Sequence, residues 1–421
     1  MAVIRIILLE FVFAAMSFCC LAQNELLRKD VSFLADSLEN RYPSSVGDHA
    51  AREYIFNHLS ENGLSCSTQS FDIVEYIWGE GSLSLQKGDS VYVFSAGKDF
   101  SVAGRSATDS LFSEYVVVSG ALPDSLYKTV QGKVIINTQN KADNNAGARI
   151  TSISDAANAG ARAIIYVSPK GQRVSNGSSK GNRFHQPHPI PVLFLNYDCL
   201  PVFTATSSSL NKVQISTTHH DRRLMAANII GEKTGFGSKY LVIGAHYDTC
   251  GPDSLDGGPK PGANDNASGV AALMALARFF SKTETRHNIL FIAFGGEEKG
   301  LLGSEYFVSH LPIDAAMIDE MINLDMLGCM KLDTLYYRQV NSVLIEPSEL
   351  RYDNLVLKSD KGPVSDYYSF ANAGIATTNF HTGEDTTIHT SADTSGRLNY
   401  DGLANILDYL INYILTIDNK D

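Results

Sequence analysis

Acidic and histidine side chains follow three apolar runs of the sequence, at the point where each run ends. "LVIGAHYD" ends with His246 and Asp248, "FIAFGGEE" with Glu297 and Glu298, and "MINLD" with Asp325. Each run has the length and apolar content of a buried strand. Because ligand sites in open α/β sheets form beyond the carboxyl ends of strands, these side chains are expected to meet at one edge of a sheet.

Two further stretches offer ligands for the same place. The Gly-rich "GGPKPGANDNASG" puts Asp265 just before a predicted helix, and "HTGEDTTIHTSADT" offers His381 and His389. Two histidines and three carboxylates can hold two zinc ions about 3.5–4 Å apart if one carboxylate bridges them. Three carboxylates, two neutral imidazoles and two Zn²⁺ ions sum to a charge of +1, which a bridging hydroxide neutralises. The residue types therefore predict a two-zinc site.

The adjacent Glu297 and Glu298 fit two different roles in such a site. Neighbouring residues that leave a strand point in different directions, so Glu298 can face a metal while Glu297 faces a bound water. Glu297 would act as general base, and zinc beside Glu298 would remove the repulsion between the two carboxylates. Asp248 is expected either to accept the N–H of the His246 imidazole, which fixes its tautomer, or to form an ordinary turn.

Length and charge limit the classes of function. The 421 residues are enough for two or three domains, and a formal net charge of −12 argues against a nucleic-acid partner, which would need a basic surface. The expected partners are peptide substrates, and the sequence leaves the oligomeric state open.

The first residues predict export. An apolar stretch over 6–20 is interrupted by Glu10 and falls short of the ~20 residues that a membrane span needs. Small residues before position 23 predict a signal peptide over 1–22 that is cleaved after Ala22, leaving no transmembrane span. A lipid anchor on Cys19 or Cys20 is the alternative. The expected location is secreted or periplasmic.

The rest of the chain changes character twice. Helical spacing dominates the start of 23–76, and 77–221 contains short β-rich runs separated by Gly-, Ser- and Asn-rich turns. From 222 to 421 strands, loops and helices alternate, which predicts a mostly parallel sheet with helices on both faces. The fold class is therefore α/β, interrupted by a β-rich domain over 77–221.

Four cysteines remain after the predicted cleavage, and no two of them form a C-x-x-C pair. A cysteine-ligated zinc is therefore not expected. A disulfide between Cys250 and Cys329 is one possibility, because both follow strands predicted to end near each other. Four small buried side chains are the alternative for Cys66, Cys199, Cys250 and Cys329.

Together these motifs resemble the M28 family of metallopeptidases, the zinc aminopeptidases with a phosphorylase/hydrolase-like α/β fold. The matching pieces, in the family's order, are "AHYDT", "PGANDNASGVAAL", "FIAFGGEEKGLLGSEYF", "INLDMLG", "SDYYSFANAGIA" and "IHTSADT", preceded by "NRYPSSVGDHAAREYIFNHLSENGL". The resemblance implies the following roles: one zinc on His246 and Asp325, another on Glu298 and His389, Asp265 as bridge, Glu297 as general base and Asp248 as the carboxylate that orients histidine. The β-rich insert resembles a protease-associated (PA) domain.

The chain departs from the family's pattern before its last strand and helix. Relatives often have Ser-Asp-His where this chain has Ser365-Asp366-Tyr367. Tyr367 would either donate its hydroxyl to an oxyanion or pack in the core, and a substrate role for Asp366 stays open. The motif after His389 favours that histidine over His381 as the ligand, and His381 is expected in a pocket or at the surface. Asp393 would support His389 or form a cap or turn.

Three functions share this pattern of residues. The first is an exported aminopeptidase that uses zinc-bound hydroxide and Glu297, with a carboxypeptidase or dipeptidase as variants on the same zinc core. The second is a glutaminyl cyclase-like acyltransferase with one zinc. The third is a receptor-like ectodomain without catalysis, which should have lost a ligand or the base. Because all five ligands and the base are present, the sequence favours the peptidase.

Overall fold

The computed structural model describes residues 23–38, 40–138, 152–172, 174, 187–205, 211–251, 258–341, 344–383 and 385–420. The predicted signal peptide over 1–22 lies outside these residues. The chain divides into two compact units, of which the first holds the described residues up to Ile73 together with Leu224–Asp421, and the second is Val74–Arg223. No helix among the described residues has the length and apolarity needed to cross a bilayer.

The described residues contain fourteen named strands and eight α-helices. The strands β1 to β14 are, in chain order, Ser65–Lys87, Ser90–Phe94, Phe100–Val102, Asp109–Val118, Val134–Asn137, Ala163–Val167, Val192–Leu195, Lys212–Lys233, Tyr240–His246, Asn288–Phe294, Ile318–Leu324, Thr334–Val340, Val356–Ser359 and Thr377–His381. The helices α1 to α8 are Val46–Glu61, Tyr127–Val130, Ile153–Asn158, Leu200–Thr204, Ser268–Phe280, Leu302–Ser309, Tyr367–Asn372 and Tyr400–Asp418. A further helical segment covers 23–32.

The first unit is built on a mixed sheet in the order β13-β12-β14-β11-β9-β10-β8. Its centre is parallel, because β9 pairs in parallel with β10 and β11, and β11 with β14. Antiparallel pairs flank this centre, β8 with β10 and β12 with β14. The predicted fold class, a mixed and mostly parallel sheet with helices, is confirmed.

Helices cover both faces of this sheet. Alternate residues of a strand point to opposite faces, and in β9 Leu241 and Ile243 join one buried cluster while Val242 joins another. The first cluster takes in apolar residues of α1, α5 and α8, and the second takes in Phe307 of α6 and Phe370 of α7. Burial on both sides explains why the central strands read as continuous apolar runs.

The second unit has its own cores around a mostly parallel set of strands. β4, β5, β6 and β7 pair in parallel in that order, while β3 pairs antiparallel with β7 and β2 with β1. Two apolar clusters fill its interior, one of them around Ile136, Ile165 and Leu193. The unit is β-rich, as expected from its sequence, and its likeness to a PA domain stays a prediction.

Candidate active site

The central parallel strands bring the predicted ligands to one edge of the first unit's sheet. β10, β9 and β11 are neighbours, and their carboxyl ends lie at Phe294, His246 and Leu324. His246 is the last residue of β9, Asp325 directly follows β11, and the two glutamates follow β10 after two glycines. Parallel pairing therefore gathers residues that are far apart in the sequence.

One group of three ligand atoms lies around the His246 imidazole. Its Nε2 is 3.2 Å from Oδ1 of Asp265 and 3.5 Å from Oδ1 of Asp325, and all three side chains are buried. Tetrahedral zinc with ligand distances of about 2.0–2.2 Å places its ligand atoms about 3.3–3.6 Å apart. The spacing therefore suits one shared ion.

A second group lies around His389. Its Nε2 is 3.0 Å from Oδ2 of Asp265 and 3.0 Å from Oε1 of Glu298. Each oxygen of Asp265 thus faces a different histidine, which is the arrangement of a bridging carboxylate. His389 has a left-handed backbone with φ +59° and a half-exposed side chain, so it closes the cluster from the solvent side.

The ligand atoms of both groups are poorly satisfied by hydrogen bonds to one another, and a metal ion would satisfy them better. Glu298 Oε1 and Asp325 Oδ1 are buried and form no well-aligned hydrogen bond among the described residues, although His389 Nε2 and His246 Nε2 lie 3.0 and 3.5 Å from them. A buried carboxylate oxygen without a partner is costly unless a cation compensates it. Burial raises the pKa of Glu298, and the nearby Asp265 carboxylate raises it further. Burial opposes ionisation of Asp265 as well, yet hydrogen bonds from both histidines hold its pKa below the usual value.

Glu297 lies beside the ligands without joining either group of three. Its Oε2 is 4.0 Å from His246 Nε2, and neither ligand group includes it. Burial raises its pKa well above the usual value, and the neighbouring carboxylates of Glu298, Asp366 and Asp325 act in the same direction. A carboxylate with a raised pKa beside a metal cluster suits proton transfer.

Asp248 holds the two glutamates through their backbone. Its Oδ1 accepts the N–H of Glu297 at 3.0 Å and its Oδ2 accepts the N–H of Glu298 at 3.2 Å. The predicted hydrogen bond to His246 is not made, because Oδ1 lies 3.7 Å from Nδ1, and Nδ1 has no hydrogen-bond partner. Asp248 therefore orients the metal-facing loop after β10.

Asp393 performs the same task for the loop that carries Asp265. Its two oxygens accept the backbone N–H groups of Asn264 at 2.8 Å and of Asp265 at 3.1 Å. The predicted support of His389 is therefore replaced by support of the bridging residue. The side chain of Asn266 connects this loop to the residue after Asp325, because it accepts the backbone N–H of Met326 at 3.1 Å.

A buried arginine that the sequence analysis did not single out, Arg41, lies close to the acidic residues of the cluster. Arg41 donates from Nε to the carbonyl of Tyr247 at 2.5 Å and from Nη1 to that of Pro261 at 2.6 Å. Its Nη2 donates to Gly262 O at 2.9 Å. Burial lowers its pKa to about 10, and the nearby acids, Asp248 first, oppose that fall. Arg41 thus ties the loops after β9 and before α5 together and adds a positive charge.

Tyr367 and Asp366 differ in their surroundings. Tyr367 is fully buried in the apolar cluster of Phe294 and Phe370, and its hydroxyl donates to Pro363 O at 3.3 Å. The structure thus gives it the packing role. Asp366 is also buried, and this burial raises its pKa to about 7.

His381 is not one of the ligands. Its Nδ1 accepts the backbone N–H of Gly383 at 3.1 Å, which leaves Nε2 to donate to Asp360 at 3.0 Å. Both nitrogens are therefore used, and the side chain is buried. The four described cysteines are all free, so the possible Cys250–Cys329 disulfide is absent. Burial raises the pKa of Cys250 to about 11.

Comparison with known proteins agrees with this geometry. Residues 228–414 match the model of peptidase family M28. Aminopeptidase YwaD of Bacillus subtilis (strain 168) is 27% identical over 84% of this chain and 74% of its own length.

Solved structures share the fold. An aminopeptidase from Aneurinibacillus sp. strain AM-1 superposes with a TM-score of 0.65 at 23% identity, covering 94% of each chain. BSAP, a zinc aminopeptidase from Bacillus subtilis, superposes with a TM-score of 0.57 at 21% identity, covering 94% of this chain and 95% of that one. Residues 228–414 thus form a peptidase domain of family M28, a family of zinc-dependent peptidases, and the protein is a metallopeptidase.

Proposed function

We propose that this protein is an exported aminopeptidase that holds two zinc ions and uses Glu297 as its general base. The observation that carries the proposal is the sharing of Asp265, whose two oxygens face His246 and His389 at 3.2 and 3.0 Å. A site for a single ion needs only one such group. The shared carboxylate favours a two-metal peptidase over the one-zinc cyclase.

The zinc ions, when bound, would supply a Lewis acid for the scissile carbonyl and would lower the pKa of water at the site. They would be held by His246, Asp325, Asp265, Glu298 and His389. Glu297 would take the proton of the attacking water on a carboxylate oxygen and pass it to the amine that leaves. Asp248 keeps that carboxylate in place, because it fixes the backbone N–H of the same residue at 3.0 Å.

Export is a separate part of the proposal. It rests on the apolar stretch and small residues within 1–22. N-terminal sequencing of the protein recovered from its native host tests this part, with a first residue of Gln23 as the expected result. Recovery with Met1 intact would contradict it.

The activity is tested with aminoacyl anilides and their N-acetylated counterparts. We expect release from the free-amine substrates only, loss of release after dialysis against a chelator, and recovery on addition of zinc. A tetrapeptide followed by chromatography separates the alternatives, because an aminopeptidase removes the first residue, a carboxypeptidase the last and a dipeptidase neither. Cyclisation of an N-terminal glutaminyl peptide without hydrolysis of any other substrate would contradict the proposal.

A further inference from the structure

Cys250 contributes a sulfur donor to one half of the candidate metal site. Its Sγ, a carboxylate oxygen of Glu298 and a ring nitrogen of His389 all lie within 4.8 Å of one another. Cys250 is a free, half-buried cysteine. In the same group Glu298 Oε1 is buried and forms no well-aligned hydrogen bond, although His389 Nε2 lies 3.0 Å away, and a cation shared by the two atoms would satisfy both.

The backbone on both sides holds Cys250 in this position. Before it, the Thr249 hydroxyl accepts the backbone N–H of Arg41 at 2.9 Å. After it, Gly251 has φ +81°, and a Cβ there would lie 2.1 Å from the ring of Tyr42. Only glycine is compatible with this turn, so the backbone conformation next to Cys250 is restricted. The backbone of Cys250 is therefore constrained on both sides.

The two halves of the site consequently differ in chemistry. The group of His246, Asp265 and Asp325 offers nitrogen and oxygen only, whereas the group of Glu298 and His389 adds sulfur. Thiolate is a soft ligand that favours zinc and other thiophilic ions over manganese or magnesium. Binding of sulfur to a metal releases the thiol proton to solvent and involves no oxidation.

We infer that Cys250 is an additional metal ligand, which makes the His389 half of the site selective for thiophilic ions. This inference rests on the proposed two-metal function. It adds to that function a difference in metal preference between the two halves of the site. The half with only nitrogen and oxygen ligands prefers hard ions, and the half with the Cys250 sulfur prefers soft ions.

Substitution with cobalt tests the inference without an activity assay. Protein loaded with Co²⁺ is expected to show visible ligand-field bands together with a near-ultraviolet charge-transfer band from sulfur to cobalt. Cys250→Ser should lose the charge-transfer band and keep the visible bands. Cys66→Ser is the matched control, because Cys66 is also free and half-buried but belongs to no ligand group among the described residues, and it should keep both.

Metal competition gives a second readout. Cys250→Ser is expected to bind Cd²⁺ about tenfold more weakly, with little change for Mn²⁺, because only the soft ion depends on sulfur. Visible bands without a sulfur band in the unsubstituted protein, or a sulfur band that survives Cys250→Ser, would overturn the inference and leave the two-metal proposal standing. Absence of any visible bands would instead overturn the metal site itself.

Discussion

Glu297→Gln is expected to lower kcat on an aminoacyl anilide by about two to four orders of magnitude while the protein keeps its zinc. Glutamine preserves the volume of the side chain but cannot take a proton from water. Glu297 lies 4.0 Å from His246 Nε2 and belongs to neither ligand group, so its loss removes proton transfer and leaves the ligands intact. Steady-state kinetics and elemental analysis of the same preparation measure both effects.

Glu298→Gln is the matched control, since it makes the same change one residue away. Its Oε1 lies 3.0 Å from His389 Nε2, so this variant is expected to lose zinc affinity as well as rate. Added zinc should partly restore Glu298→Gln and leave Glu297→Gln unchanged. A Glu297→Gln enzyme of normal rate, or one repaired by zinc, would show that Glu297 is not the general base.

Arg41→Met is expected to lower the free energy of unfolding by about 3–5 kcal/mol, because it leaves several buried carbonyl groups without donors. Those of Tyr247, Pro261 and Gly262 lie 2.5–2.9 Å from the guanidinium. The buried carboxylates would also lose a positive charge from their surroundings. Urea unfolding of the metal-free protein measures the change.

Two further variants separate the contributions of Arg41. Arg41→Lys keeps the charge but loses the planar fork, so it should recover only part of the stability. Arg351→Met removes an exposed arginine from the same unit and is expected to change the free energy by less than about 0.5 kcal/mol. Equal stability of Arg41→Met and Arg351→Met would refute the structural role of the buried guanidinium.

The fold of the first unit was predictable wherever burial imposes a strong pattern. "ASGVAALMALARFF" predicts a helix and forms Ser268–Phe280, and the apolar runs form β9, β10 and β11. The sequence did not predict β12 and β13, because strands at the side of a sheet mix polar and apolar residues. The pairing of β12 with β14 and of β13 with β12 is decided by tertiary contacts.

The ligands of the candidate site were predictable from the sequence, but the hydrogen bonds that hold them in place were not. Parallel strands explain why His246 and Asp325 meet, and this follows from sequence. The partners of Asp248 lie 49 and 50 residues away, and those of Arg41 up to 221 residues away. No local pattern encodes such hydrogen bonds. Asp248 stands two residues after His246, which suggested a bond to the imidazole, whereas its carboxylate accepts the backbone N–H groups of Glu297 and Glu298.

Anomalous diffraction at the zinc absorption edge, from crystals of the unsubstituted protein, tests the central claim most directly. The account predicts two zinc peaks in the first unit, one contacting His246 and Asp325 and the other contacting Glu298 and His389, with one oxygen of Asp265 on each. A single zinc peak, or two peaks that do not share Asp265, would contradict the two-metal site.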